Sequence, residues 1–170
     1  MLAADKVPKE VTPLRALGLN HVSVHADDLE ESARFYEELF GMKRLPTPNF
    51  GGKIVWLALG DQQLHLFERD IAAPRFHHFG LDVDDFEAVY VKAKERGLLD
   101  ADTFGAAVRE LPGGVVQMYV RDPAGNIVEV DWPDASKLDR SVVTDVDRLA
   151  DAFPQEGDAA LSTLYHARRS

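Results

Sequence analysis

Three histidines and one glutamate occupy positions from which they could act together. The stretch His21-Val-Ser-Val-His-Ala-Asp-Asp-Leu-Glu30 is echoed by His78-Phe-Gly-Leu-Asp-Val-Asp-Asp-Phe-Glu87 at a constant offset of 57 positions, from 21 to 78 and from 30 to 87. His65 stands between Leu64 and Leu66, and Glu129 between Val128 and Val130. Residues two apart on a strand share a face. His21, Ser23 and His25 therefore oppose Val22 and Val24, and Gln63, His65 and Phe67 oppose Leu64 and Leu66. In the second copy His78, Gly80 and Asp82 oppose Phe79, Leu81 and Val83, while Ile127, Glu129 and Asp131 oppose Val128, Val130 and Trp132. The apolar faces are expected to pack on helices, leaving an opposite face rich in imidazole and carboxylate. Two His and one Glu with open positions suit a redox or Lewis-acid divalent metal, and a third His makes a four-ligand site. The expected ligands are His21, His65, His78 and Glu129 around one divalent ion: Fe, Mn, Ni, Co or Zn.

The elements that must hold these residues can be read from periodicity. A strand over Leu17–Val24 leads to an N-cap at Asp27 or Asp28 and a helix to about Phe40, stopped by Gly41. Ile54–Leu59 and Gln63–Phe67 flank the Gly60-Asp61 turn signal. The second copy opens near Phe76, with a helix over Asp84–Arg96, an ill-defined strand between Leu98 and Glu110, and strands Val115–Val120 and Ile127–Trp132. The expected fold is α+β: two βαβββ modules forming a curved mixed sheet, or half-barrel, around the metal. The domain plan is an N-terminal arm at 1–16, a core domain at 17–133 (modules 17–70 and 76–133) and a C-terminal helical extension at 134–170. In that extension Val142, Val143, Val146, Leu149, Ala150 and Phe153 have helical spacing, and a second short helix is expected around Ala159–Arg168. Loops Leu45–Lys53 and Gly105–Gly114 are expected to bound the cavity.

Composition narrows the chemistry. A formal net charge of −10 argues against nucleic acid and anionic membrane as partners. The chain has no cysteine, so a disulfide framework, a thiolate nucleophile and cysteine-bound zinc are excluded. No signal-peptide pattern or long apolar run is present in the 170 residues, which points to a cytoplasmic location.

The layout resembles the vicinal oxygen chelate superfamily of glyoxalase, bleomycin resistance and extradiol dioxygenase proteins. The segments that carry it are Leu19-Asn-His-Val-Ser-Val24, Ser32-Ala-Arg-Phe-Tyr-Glu-Glu-Leu-Phe-Gly41, His78-Phe-Gly-Leu-Asp-Val83 and Arg121-Asp-Pro-Ala-Gly-Asn-Ile-Val-Glu129. The resemblance covers roughly 17–133. It implies that His21, His78 and Glu129 are metal ligands. It places His65 where glyoxalase I has Glu and the epimerase has Gln, and Ser23 where a fosfomycin transferase has a substrate-side threonine. The fold is expected to chelate two neighbouring oxygens of a small-molecule substrate.

A glyoxalase-like lyase or epimerase/isomerase working through an enolate-type intermediate is the leading expectation, with His65 or His25 as the base. An Fe(II) extradiol-type ring-cleaving dioxygenase is the alternative, and a non-catalytic small-molecule binding or resistance protein is the second alternative. Ser23, Gln63, Gln117, Tyr119 and Arg121 are the expected substrate contacts. The open half-sheets are expected to close within one chain or across a two-fold homodimer, the latter preferred.

Overall fold

The computed structural model describes residues 18–166. The N-terminal arm expected at 1–16 and residues 167–170 lie outside them.

Each module follows the expected order. The first is β1 (His21–Ala26), α1 (Leu29–Phe40), β2 (Lys43–Leu45), β3 (Ile54–Leu59) and β4 (Gln62–Glu68). The second is β5 (His78–Asp82), α2 (Phe86–Glu95), β6 (Val108–Glu110), β7 (Val116–Arg121) and β8 (Ile127–Trp132). Helix α1 starts where the Asp28 carboxylate accepts the Glu31 N–H at 2.8 Å and ends at Gly41, whose φ of 65° only glycine adopts without strain. Asp85 caps α2 the same way, accepting from the Ala88 N–H. The helices bury Leu29, Ala33, Tyr36, Leu39, Phe86, Val89, Tyr90 and Ala93 against the apolar sheet faces, in one core that includes Leu64, Leu66, Leu81, Val128 and Val130. The strand alternation inferred from sequence places those side chains correctly.

The sheets are two, and they are open. The first has the order β1-β4-β3-β2; the second has β5-β8-β7-β6-β9, where β9 is Asp147–Arg148. Both are mixed, with β1–β4 and β5–β8 parallel and the inner pairs antiparallel. Neither sheet closes or curls strongly, so the expected half-barrel around a metal is not formed. A half-barrel needs a hydrogen-bonded ladder that carries the curvature from one module to the next. Here β1 and β5 are each the outer strand of their own sheet. Between them lies a cavity of about 600 Å³ lined by Val22, Val24, Ile71, Pro74, Phe76 and Phe79, among others. Contacts between α1 and α2 join the modules instead.

The C-terminal extension carries helical turns at Ala135–Lys137, Leu149–Ala152 and Gly157–Leu161. The apolar stripe over 142–153 is not one helix. Val143 is fully buried in the core and Asp147–Arg148 pair with β6, so packing overrides the helical spacing. Among the described residues no helix is long and apolar enough to cross a membrane.

Candidate functional site

The strands bring the expected ligands together as two pairs. On the second sheet, Gly80 pairs with Glu129 in the β5–β8 register, and His78 lies two residues before Gly80 on the same face. His78 Nδ1 lies 2.9 Å from the Phe76 carbonyl oxygen. Donation there places a proton on Nδ1, and in the neutral ring it leaves Nε2 with a lone pair. Nε2 faces Glu129 Oε2 at 3.6 Å. Two acceptors turned toward each other repel unless a proton or cation lies between them. Donors each about 2.1 Å from one ion are at most about 4.2 Å apart, a limit this pair meets. A ligating imidazole whose other nitrogen donates to a carbonyl is the usual arrangement in metal sites.

Glu129 is buried and held from its other side. Gln117 Nε2 donates to Glu129 Oε1 at 2.7 Å, and the Tyr119 hydroxyl donates to Gln117 Oε1 at 3.3 Å. Burial raises the Glu129 pKa, against the pull of His78 and its hydrogen-bond donors. Two residues on, Asp131 is pushed up to about 7, first by burial and then by the charge of Glu129. Asp131 Oδ1 is buried and has no hydrogen-bond partner among the described residues. Gly80 makes room for this crowding, since a Cβ there would meet Asp131 Oδ2 at 2.9 Å.

The first sheet carries the other pair. His65 is sandwiched between Trp56 (ring centroids 4.2 Å apart) and His21 (4.4 Å), with interplanar angles of 5° and 16°. His65 Nε2 lies 2.8 Å from Gln63 Oε1, and His21 Nδ1 lies 2.5 Å from Asn20 Oδ1. Burial, followed by the nearby His21 charge, lowers the His65 pKa. Ring-nitrogen lone pairs lie in the ring planes, so two nearly parallel stacked rings aim them side by side rather than at one point. Among the described residues, no group of three or more His, Cys, Asp or Glu gathers to hold a metal ion. The donor types suit a divalent ion. Their arrangement presents one facing pair, His78 and Glu129, and one stacked pair, His21 and His65.

Ser23 and His25 line the cavity between β1 and β5 together with His78. His25 is buried, and its Nε2 has no hydrogen-bond partner among the described residues. The Arg121 guanidinium is occupied within its own module: Nε lies 2.6 Å from Asp100 Oδ2, and the terminal nitrogens donate to Thr103 Oγ1 at 2.6 Å and the Gly125 carbonyl at 2.7 Å. Those bonds fasten the loop that carries Phe104, whose ring packs on Tyr119 at 4.5 Å and His78 at 5.3 Å. The β1–β5 cavity is lined by the link through Ile71, Pro74 and Phe76, whereas the expected loop Leu45–Lys53 brings Phe50 to 6.0 Å from Trp56, the ring stacked on His65. Phe104 and Trp56 escaped the sequence reading. Trp56 stands opposite His65 in the β3–β4 register, a signal available only once those strands are paired. Phe104 sits in a loop without periodicity.

Comparison with known proteins identifies relatives of this fold. The family described as Glyoxalase/Bleomycin resistance protein/Dioxygenase superfamily matches residues 18–130. Mitochondrial methylmalonyl-CoA epimerase of Mus musculus is 29% identical over 142 residues, covering 72% of this chain and 78% of the relative. Glyoxylase I 4 of Arabidopsis thaliana is 28% identical over 130 residues, covering 69% and 72%. The crystal structure of lactoylglutathione lyase from Agrobacterium tumefaciens superposes with a TM-score of 0.55 at 25% identity, over 69% of this chain and 94% of that one. With a matched span that includes both modules' inward strands and their His and Glu positions, the chain belongs to the Glyoxalase/Bleomycin resistance protein/Dioxygenase superfamily.

Proposed function

We propose that this chain is a divalent-metal-dependent lyase or epimerase of the glyoxalase kind, acting in the cytoplasm on a small molecule with two neighbouring oxygens. The observation that carries the reading is the His78–Glu129 pair: an imidazole fixed by the Phe76 carbonyl presents its free Nε2 to a buried carboxylate at 3.6 Å. The names of the epimerase and lactoylglutathione lyase relatives support the reaction class. His78, Glu129 and His21 would hold the ion, with His65 as a fourth ligand or as the base. A bound divalent ion would supply Lewis-acid stabilisation of negative charge developing on substrate oxygen.

The chain's own groups do the remaining work. Gln117 and Tyr119 orient Glu129, and Phe104 packs on the Tyr119 and His78 rings. With Gln63 accepting from Nε2, His65 keeps its Nδ1 lone pair, the atom that would take a proton from substrate carbon. Ser23 and His25 line the space beside His78 where substrate would lie. Because the two pairs sit on separate sheets, the reading includes a homodimer in which they meet.

Elemental analysis of the purified protein and of its His21→Ala, His65→Ala, His78→Ala and Glu129→Gln variants tests this reading. Stoichiometric divalent metal in the parent, lost in His78→Ala and Glu129→Gln, is the expected result. Metal-free parent protein that also fails to take up added Co(II), Ni(II), Zn(II), Mn(II) or Fe(II) would overturn it. Deuterium exchange at the substrate carbon, abolished in His65→Ala with metal retained, would assign the base. Equimolar mixing of His21→Ala with Glu129→Gln restores metal binding only where the pairs meet between copies.

A further inference from the structure

The family match ends at residue 130, and the chain beyond it takes an unusual route. Up to Arg148 the extension is fastened to the second module. Leu138 and Val143 enter the core, Asp145 receives hydrogen bonds from the Tyr90 hydroxyl and Lys94, and Arg140 and Arg148 pair with Glu110. There the fastening changes. Asp147–Arg148 form the outer strand at one edge of the second sheet, whereas His166 lands on Asp82 of β5, the strand at the opposite edge. Four strand spacings of about 4.8 Å separate those edges, roughly 19 Å, well within the reach of the intervening residues.

The crossing ends on the functional face. Alternation along β5 sends Leu81 into the core and Asp82 to the side that bears His78. The turn at Gly157–Leu161 lies against Pro112–Gly114, just before β7 begins. Between that contact and Asp82 runs a cross-strand row, Asp82–Asp131–Gln117, set by the β5–β8 and β8–β7 registers. Asp131 and Gln117 are both buried, on the strand face opposite the one that joins the helices in the core. The next row holds Glu129.

His166 Nδ1 lies 2.5 Å from Asp82 Oδ1, with both side chains about four-fifths covered. By contrast Leu161, Leu164 and Tyr165 are exposed, Tyr165 to 96%, so the arm buries little apolar surface. A segment whose described apolar side chains stay exposed belongs to the low-stability end of a structure, where opening is easy.

We propose that residues 155–166 form a removable cover over the second half of the candidate site, latched by His166 on Asp82. The proposal rests on the reading that the His78–Glu129 pair belongs to the site. Opening the latch uncovers the Asp131–Gln117 row beside Glu129, so the arm controls access from that side.

The test is NMR on the full-length, metal-free chain, comparing the parent with His166→Ala, Asp82→Asn and the cation-preserving His166→Lys. In the parent, 15N heteronuclear NOEs over 157–166 are expected to match the protein body. In His166→Ala and Asp82→Asn they should fall to those of a mobile chain, and a soluble paramagnetic agent should relax the Gln117 side-chain amide about threefold faster. His166→Lys should restore both readouts in part. An arm already mobile in the parent, an arm equally ordered in both disrupting variants, or a mobile arm that leaves Gln117 unaffected would overturn the proposal. Neither readout needs metal, so loss of the metal reading and loss of the cover are separately visible.

Discussion

The Tyr36 hydroxyl donates a 2.8 Å hydrogen bond to Asp122 Oδ2, joining the helix of the first module to the β7–β8 turn of the second. Asn126 completes the clamp: its Nδ2 donates to Asp122 Oδ2 and to the His25 carbonyl of β1, at 2.7 Å and 2.8 Å. The two modules are thus tied by buried polar contacts close to the strands that carry His21 and His78. Burial raises the pKa of Asp122 despite its hydrogen-bond donors and raises that of Tyr36 well above its ordinary value. Tyr36→Phe keeps the ring but removes a donor from a buried carboxylate. It is expected to cost about 1–3 kcal/mol in urea unfolding. An unchanged urea midpoint would show that the clamp does not contribute.

Gly80→Ala places a methyl group 2.9 Å from Asp131 Oδ2 and 3.5 Å from Glu129 Oε1. The Asp131 carboxylate must move within a buried row, at an expected cost of about 1–3 kcal/mol. The same shift should disturb Glu129, so metal affinity should fall together with stability. Isothermal titration with Co(II) alongside thermal melts checks both.

Gln117→Leu removes the amide that donates to Glu129 Oε1 while leaving the carboxylate in place. Loss of such an orienting partner typically costs about 10–100-fold in metal affinity. Competition against a chromogenic chelator measures it, and Gln117→Asn should recover little because the shorter side chain does not span the 2.7 Å contact. Affinity equal to the parent's would remove Gln117 from the site.

Asp100 gives the pH dependence a definite sign. Burial would raise its carboxyl, but the Thr103 N–H and hydroxyl, Arg121 and the Asp102 N–H outweigh this and hold the pKa below its ordinary value. A folded-state pKa below the unfolded value of about 3.9 means stability that is fully present above pH 4 or so and is lost as pH falls through the folded value. Acid unfolding of the parent should therefore be shallower once Asp100→Asn has removed this group, with the difference confined to that acidic window. The loop bearing Phe104 should loosen in the variant, visible as faster amide exchange over 100–104.

Where the physics was local, the linear chain sufficed. Asp28 and Gly41 bracket α1 because a capping carboxylate and a left-handed glycine act on their own neighbours. Alternation along β4 and β8 placed His65 and Glu129 opposite the core because side-chain direction on a strand has a period of two. The stripe from Val142 to Phe153 misled for the converse reason: burial of Val143 and pairing of Asp147–Arg148 with β6 are long-range terms that outweigh helical spacing. The half-barrel failed likewise, since curvature depends on a β1–β5 ladder that no residue type announces.

The sequence by itself determined the duplicated βαβββ plan, the apolar and polar faces of each strand, and the polar face that carries His21, His78 and Glu129. Only the tertiary structure decided that His78 and Glu129 face one another while His21 stacks on His65, that Arg121 is occupied by Asp100, and that His166 crosses a whole sheet to reach Asp82. The division has one physical cause. Periodicity and capping act within a few residues, whereas ring stacking, ion pairing and the meeting of two sheets depend on packing between segments far apart in the chain.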